Sequence, residues 1–163
     1  MNLMDFNIVP GVAPVDTVAT AIATQFVDMK TAHEINFLVS FGTVTVASAD
    51  QPITITVTAA TVQAGTSAVA VPFRYRLSGA AAANSWGAET AATSAGYAPV
   101  GATATGKMVF ITVDPAAVIA SAEKDARWIN LVVTPDAGAS ACAVAAIPFI
   151  VPRYKQVSMV SAT

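Results

Sequence analysis

Charged side chains are scarce in this chain. Lys, Arg, Asp and Glu make up 11% of its 163 residues, against about 25% in an ordinary soluble domain. The formal net charge is −2, so the sequence has neither the basic surface of a nucleic-acid-binding protein nor a long acidic tail. We therefore expect no nucleic acid among its partners. The surface has to be built from Ala, Thr, Ser and Gly, which suits a protein that other chains cover in part.

Cysteine and histidine each occur once, which removes most catalytic and metal-binding chemistry. Cys142 has no second cysteine for an internal disulfide, and its apolar neighbours predict a small core residue. His33 precedes a predicted strand, where we expect a solvated turn, and no G-x-S-x-G motif accompanies it. Scattered carboxylates beside one His and one Cys do not make a metal cluster. We expect no catalytic residue, no metal, no cofactor and no enzymatic activity.

Long apolar runs are missing, although hydrophobic residues reach 55% and the mean hydropathy is +0.61. The longest charge-free segment, residues 51–73, alternates Thr with Ile and Val over much of its length. The most apolar segment, residues 137–151, is shorter than the roughly 20 residues of a membrane-spanning helix. Residues 1–10 contain Asp5 and lack the basic start and apolar core of a signal peptide. We expect no membrane contact, and a chain made and kept in a cytosol.

A period of two residues dominates the pattern that is present. Residues 53–58 alternate Ile or Val with Thr, and residues 71–77 place aromatic side chains on one face and two arginines on the other. Seven or eight such segments, separated by turn-like stretches, predict an all-β fold: a single β-sandwich, jelly-roll-like. Asp114 and Pro115 predict the start of one short helix over residues 116–122. The apolar members of the alternating segments form the predicted core: Ile35, Phe37, Val39, Phe41, Ile55, Val57, Phe73, Tyr75, Val109, Ile111, Ile129, Leu131 and Val133.

No change in composition divides the chain, so we expect one domain with two appendages. Residues 1–15 are predicted to be an extended N-terminal arm, residues 16–151 the β-sandwich domain, and residues 152–163 a C-terminal tail. Arm and tail contain prolines and lack the apolar periodicity of core segments, so we expect them to become ordered on a partner. The residues predicted to bind that partner are Phe6, Ile8, Val9 and Pro10 in the arm and Arg153 and Tyr154 in the tail.

Two patterns come close to known ligand motifs. Residues 101–107 have the G-x-x-x-x-G-K spacing of a P-loop, but Met108 stands where the motif needs Ser or Thr, and a strand follows instead of a helix. Arg74 and Arg76 flank an aromatic residue, an arrangement that can stack on single-stranded nucleic acid. Because no basic patch surrounds them, we interpret both arginines, together with Trp86, as contacts to a neighbouring subunit.

The order of the segments is itself distinctive from about residue 25 onward. An apolar strand ends at Gly42, a Thr-alternating strand and an aromatic strand follow, Trp86 lies in a loop, and a last apolar strand ends at Pro152-Arg153-Tyr154. This layout resembles the small all-β head decoration proteins, also called cement or auxiliary capsid proteins, of tailed bacteriophages. Residues 79–106 depart from it, because they are Ala-rich and poor in polar side chains.

The resemblance implies a structural virion protein on the outer surface of a capsid, made in the cytoplasm of the bacterial host. Its partners would be the major capsid protein and neighbouring copies of itself, and it would stabilise contacts between capsomers. Two alternatives stay open. One is a tail-tube or head-completion protein, which would form rings. The other is a carbohydrate- or receptor-binding β module, in which Trp86 or Tyr97 would stack on a sugar.

Overall fold

A computed structural model describes residues 7–17, 20–46, 53–79, 85–99, 101–121, 125–135, 138–139 and 141–153. Nearly all regular structure in these residues is β-strand, and every strand pair is antiparallel. The strands are β1 (Asn7–Ile8), β2 (Val12–Asp16), β3 (Ile22–Ala23), β4 (Val27–Asp28), β5 (Ala32–Thr45), β6 (Thr54–Ala60), β7 (Val69–Val71), β8 (Phe73–Leu77), β9 (Thr90–Ala92), β10 (Met108–Val113), β11 (Trp128–Thr134) and β12 (Ala141–Pro152), and the helices are α1 (Gly101–Ala104) and α2 (Pro115–Ser121).

The strands form two sheets. The larger sheet has the order β1-β12-β5-β10-β8-β9, and β2 pairs with β12 on the same side as β1. The smaller sheet has the order β3-β11-β6-β7, with β4 beside β3 along β11. β1 with β2, and β3 with β4, therefore each act as one interrupted edge strand.

The strand order is that of a jelly roll. If the interrupted edges count as the first and second strands, then β5, β6, β7, β10, β11 and β12 are the third to eighth. The first strand then pairs with the eighth, the second with the seventh, the third with the sixth and the fourth with the fifth. This is the pairing of a long antiparallel hairpin rolled into two sheets, and the β8–β9 hairpin is added outside β10. The predicted all-β sandwich is confirmed.

One hydrophobic core lies between the sheets and takes side chains from both. The sequence predicts this core well, because alternate side chains of a strand point to opposite faces. Of the thirteen predicted core residues, twelve are buried, and Tyr75 is half-buried at the core's edge. Cys142 is also buried, as expected. Burial, together with the nearby Asp16 carboxylate, raises the pKa of its thiol.

The predicted short helix is present as α2. A carboxylate oxygen of Asp114 accepts a hydrogen bond from the backbone N–H of Ala116 at 2.8 Å, which caps the first turn, and Pro115 is the first helical residue. The P-loop-like run instead contains the single turn α1, which the sequence did not predict. The hydroxyl of Thr105 just after it donates to the carbonyl of Val44 and accepts the N–H of the same residue, so this loop is fastened to β5.

The N-terminal segment differs from the predicted arm. In its described part, β1 and β2 pair along β12, so residues 7–15 are extended but belong to the larger sheet. The backbone N–H groups of Val9 and Thr17 continue this pairing to the carbonyls of Pro148 and Cys142. The predicted boundary between residues 15 and 16 falls inside β2. The sequence around this position does not reveal the strand, because its partner, β12, lies at the other end of the chain.

The predicted strand over residues 71–77 is divided at Pro72. β7 ends at Val71 in the smaller sheet, and β8 begins at Phe73 in the larger sheet. Proline has no N–H to donate to a sheet ladder, and here it marks the passage of the chain from one sheet to the other.

Candidate interaction surface

The outward side of the larger sheet is unusually apolar. Buried residues flank Leu38, Phe110 and Phe149 on both sides in their strands, so these three side chains point away from the core. The cross-strand register brings outward side chains into rows: Leu38 lies opposite both Ile147 and Phe110. We call the following set the apolar outer face: Ile8, Leu38, Trp86, Met108, Phe110, Ile147 and Phe149.

Four members of this face are large and open to solvent. Ile8 is 54% exposed, Trp86 44%, Ile147 42% and Met108 38%. An antiparallel sheet with one solvated face normally alternates apolar residues inward with polar residues outward. Contiguous exposed apolar side chains are instead characteristic of interaction sites.

Aromatic contacts order the middle of the face. The Phe110 ring lies 6.2 Å from the Trp86 ring in an edge-to-face contact and 6.2 Å from the Phe149 ring in a stacked one. Such pairs stabilise each other by about 0.5–1.5 kcal/mol beyond their buried area. Trp86 is held in place by a bridge to Ser78, and the N–H of Gly87 donates to the carbonyl of Leu77. The aromatic side chains are thus already positioned for a partner.

A charged rim borders the face along β8. Arg74 donates to the Glu89 carboxylate at 2.9 Å, and an Arg76 nitrogen lies 3.7 Å from the other oxygen of the same carboxylate. All three side chains are at least one-third exposed, so these ion pairs add little to stability. Both arginines point outward, since they lie opposite Thr112 and Phe110 of β10.

A cleft of about 450 Å³ adjoins the rim, with His33, Glu34 and Asp114 in its lining. Beside it, Asn36 donates to the Glu34 carboxylate at 2.7 Å and accepts a hydrogen bond from the Thr112 hydroxyl at 2.9 Å. The Asp114 carboxylate is bonded to the backbone of α2. These hydrogen bonds stabilise the end of the sheet.

The smaller sheet provides an internal comparison. Its outward positions on β6 are Thr54, Thr56 and Thr58, and Thr134 and Val132 lie opposite the first two on β11. This is the polar-out alternation of a solvated sheet face. Along β6, the smaller sheet therefore lacks the row of large apolar outward side chains that the larger sheet carries.

The first and last described residues lie at the same end of the larger sheet. Asn7, the first described residue, is opposite Ile150, and the paired strands run antiparallel. β12 ends at Pro152, and Arg153 follows, where its backbone N–H donates to Thr31 and its guanidinium to the carbonyl of Ala32. Residues 1–6 and 154–163 thus continue from neighbouring positions at one end of the larger sheet.

The structure brings several predicted partner-binding residues to one side of the molecule. Ile8 and Trp86 belong to the apolar outer face, and Arg74 and Arg76 form its rim. Pro10 and Arg153 are also exposed, but Arg153 lies at the end of the sheet beside Lys30 and Arg127. Phe6 and Tyr154 lie outside the described residues.

One predicted site residue needs correction. Val9 is 5% exposed and packs in the core, so its side chain is not available to a partner. It follows Ile8 in an extended segment, and successive side chains of such a segment point to opposite sides.

Five members of the face were not predicted as site residues. Leu38, Met108, Phe110, Ile147 and Phe149 lie in strands whose inward residues are also apolar. The sequence could have indicated this face, because a strand whose inward and outward residues are both apolar is expected to be covered on both faces. Residues 147–151 are such a run.

A sugar-binding role for Tyr97 does not fit its surroundings. Its ring stacks on Tyr75 with 3.9 Å between centroids, and both rings pack against the core. Burial, and the adjacent Tyr75, raise the pKa of Tyr97. Trp86 remains exposed on the apolar outer face.

The described residues contain no group of three or more His, Cys, Asp or Glu side chains that could hold a metal ion. Within the same residues no helix has the length and apolar character needed to cross a membrane.

Comparison with known proteins found no matching family model, no matching curated protein and no matching solved structure.

Proposed function

We propose that this protein is a structural virion protein that decorates the outer surface of a bacteriophage capsid and stabilises contacts between neighbouring capsomers. The observation that carries the proposal is the position of the chain ends. Residues 1–6 and 154–163 both continue from the same end of the larger sheet. Two segments that start side by side from a rigid sandwich can hold two neighbouring subunits of a shell.

The partner is the major capsid protein, and no cofactor takes part. Ordering the two terminal segments on the shell costs conformational entropy, which the contacts made there offset. Individual contacts can be weak, because a symmetric lattice repeats them and bivalent attachment raises the effective concentration of the second segment. The low charge of the chain favours apolar and backbone contacts, so binding weakens only modestly as salt rises.

The first test is location. Particles from the host lysate are labelled with gold-conjugated antibodies against the purified protein and imaged by electron microscopy. Label distributed over the whole head is the expected result. Label at the tail or at a single vertex would replace the decoration role with that of a tail-tube or head-completion protein, and unlabelled particles would reject both.

The second test is attachment. Particles stripped of the protein are mixed with the full chain, with residues 7–163, with residues 1–153, and with residues 7–153, and rebinding is scored by sedimentation. The sandwich strands are intact in all four, so we expect each single deletion to weaken rebinding and the double deletion to abolish it. The variant Val62→Ala, on the exposed β6–β7 hairpin, should bind like the full chain. If all truncated forms rebind as well as the full chain, attachment through the two terminal segments is rejected.

Trp86 supports a second candidate, a carbohydrate- or receptor-binding module. Its indole is 44% exposed, and exposed aromatic rings are common anchors of binding sites. Retention of the native protein, but not of Trp86→Ala, on immobilised bacterial surface polysaccharide would favour this role.

A further inference from the structure

We propose that the apolar outer face of the larger sheet packs against the same face of a second copy of this chain and forms a two-fold dimer. This goes beyond the proposed attachment to a capsid, because it concerns a different surface. It involves the sheet face, whereas the attachment uses the chain ends.

The need for a cover comes from the exposed side chains. Ile8, Trp86, Met108 and Ile147 are each more than one-third exposed, whereas the outward positions of β6 in the smaller sheet are threonines. Burying apolar area stabilises an assembly by roughly 25 cal/mol per Å². Aromatic residues in the middle of a face, already packed on one another, are the usual anchors of a protein interface.

Symmetry argues for a second copy as the occupant. Five strands carry the face and its rim, in the order β1, β12, β5, β10 and β8, so β5 lies in the middle. A two-fold axis parallel to β5 in the plane between two copies places β12 over β10. This axis keeps the position of each residue along its strand, so Ile147 of one copy meets Phe110 of the other, and Leu38 meets its own equivalent. The central apolar row is therefore complementary to itself, as an isologous contact requires.

Charge selects this orientation. A two-fold axis perpendicular to the strands would place β8 over β8 and bring together two rims that each carry two arginines and one glutamate. The excess of positive charge is unfavourable at an interface. The axis parallel to β5 instead places the arginine rim over β1, where Ile8 is exposed. The aliphatic stems of the arginines can cover this edge while the charged groups reach solvent.

The size of the face sets the strength of the dimer. β10, with six residues, contributes about 20 Å of length and β1, with two, about 7 Å, so five strands about 4.8 Å apart outline at most roughly 400 Å². A standard interface buries about 800 Å² on each partner. We therefore expect a reversible dimer with a dissociation constant in the micromolar range or weaker.

Sedimentation equilibrium of the full chain from about 1 to about 500 µM tests the dimer. The expected result is a monomer at the lowest concentration and a growing dimer fraction at the highest. Ile147→Lys and Met108→Lys should each raise the dissociation constant at least tenfold, because a charge would face apolar side chains. Both positions point outward, and an unchanged thermal unfolding temperature confirms that the variants fold.

Thr56→Lys on the outward side of the smaller sheet is the matched control and should dimerise like the native chain. A native chain that stays monomeric at every concentration would overturn the proposal, as would face variants that dimerise as well as the native chain. Loss of the dimer in Thr56→Lys would also overturn it, since the smaller sheet would then be the interface.

Disulfide cross-linking tests the orientation. An equimolar mixture of Ile8→Cys and Arg74→Cys chains should give more cross-linked dimer than either variant alone, since β1 of one copy lies over β8 of the other. Preferential cross-linking of Arg74→Cys with itself would contradict the axis parallel to β5. These chains retain both terminal segments, so capsid rebinding can be measured on them separately. The dimer and the attachment to the capsid can therefore fail independently of each other.

Discussion

Asp28 and Arg127 form the strongest polar contact of the smaller sheet's edge. Nη2 of Arg127 lies 2.6 Å from a carboxylate oxygen of Asp28, and Nε donates to both oxygens at 3.1 Å. The same guanidinium lies over the Trp128 ring, 5.2 Å from its centroid. Burial alone would raise the pKa of Asp28, but hydrogen bonds from Arg127 and from the N–H of Lys30, with the positive charges of both side chains, lower it below its usual value.

This shift predicts a pH dependence of stability. A carboxyl group with a lowered pKa in the folded state stabilises the protein above its unfolded pKa, and this contribution is lost as the pH falls through the folded pKa. We expect Asp28→Asn to unfold at a lower temperature than the native chain near neutral pH, and the difference to shrink below about pH 4. Thermal melts followed by circular dichroism measure it, with the exposed Asp125→Asn as control. A difference independent of pH would contradict the role of the charge.

At the scale of elements, the N-terminal edge depends on one close approach. A Cβ added to Gly11, between β1 and β2, would overlap the carbonyl oxygen of Ala146 and lie 2.9 Å from Cδ of Pro148. We therefore expect Gly11→Ala to loosen this edge from β12. Amide hydrogen exchange at Val9 and Thr17, whose N–H groups bond to β12, should become faster, while Ala13→Ser in the same edge leaves it unchanged. Unchanged protection in Gly11→Ala would show that the edge can shift without detaching.

The alternating pattern was sufficient to predict the elements with one buried face. β6 reads as Ile and Val inward and Thr outward, and its burial follows that order. β2 gave no such signal, because four of its five residues are exposed. The sequence analysis did not predict the apolar outer face for a different reason. Where successive residues of a strand are all apolar, as in residues 147–151, the sequence does not distinguish inward from outward side chains.

At the scale of the whole molecule, the sandwich depends on its last strand. β12 lies between β5 and the β1–β2 edge, and Val144, Ala146 and Ile150 pack in the core. We expect a chain ending at Arg153 to unfold at the same temperature as the full chain, and a chain ending at Ala139 to lack a cooperative unfolding transition. Circular dichroism melts of the two chains measure this. A cooperative transition in the shorter chain would mean that the sandwich forms without β12.

The place of β12 also has a consequence for synthesis. The ribosome makes β5 well before β12, and more than half of the chain lies between these two strands. Until β12 is made, the edge of β5 with which it pairs has no partner strand, and the apolar side chains beside that edge stay uncovered. Most strand pairs of this fold join distant parts of the sequence, and such pairings form slowly. The larger sheet therefore cannot be completed before β12 has been made, and until then its exposed strands are open to aggregation and chaperone capture.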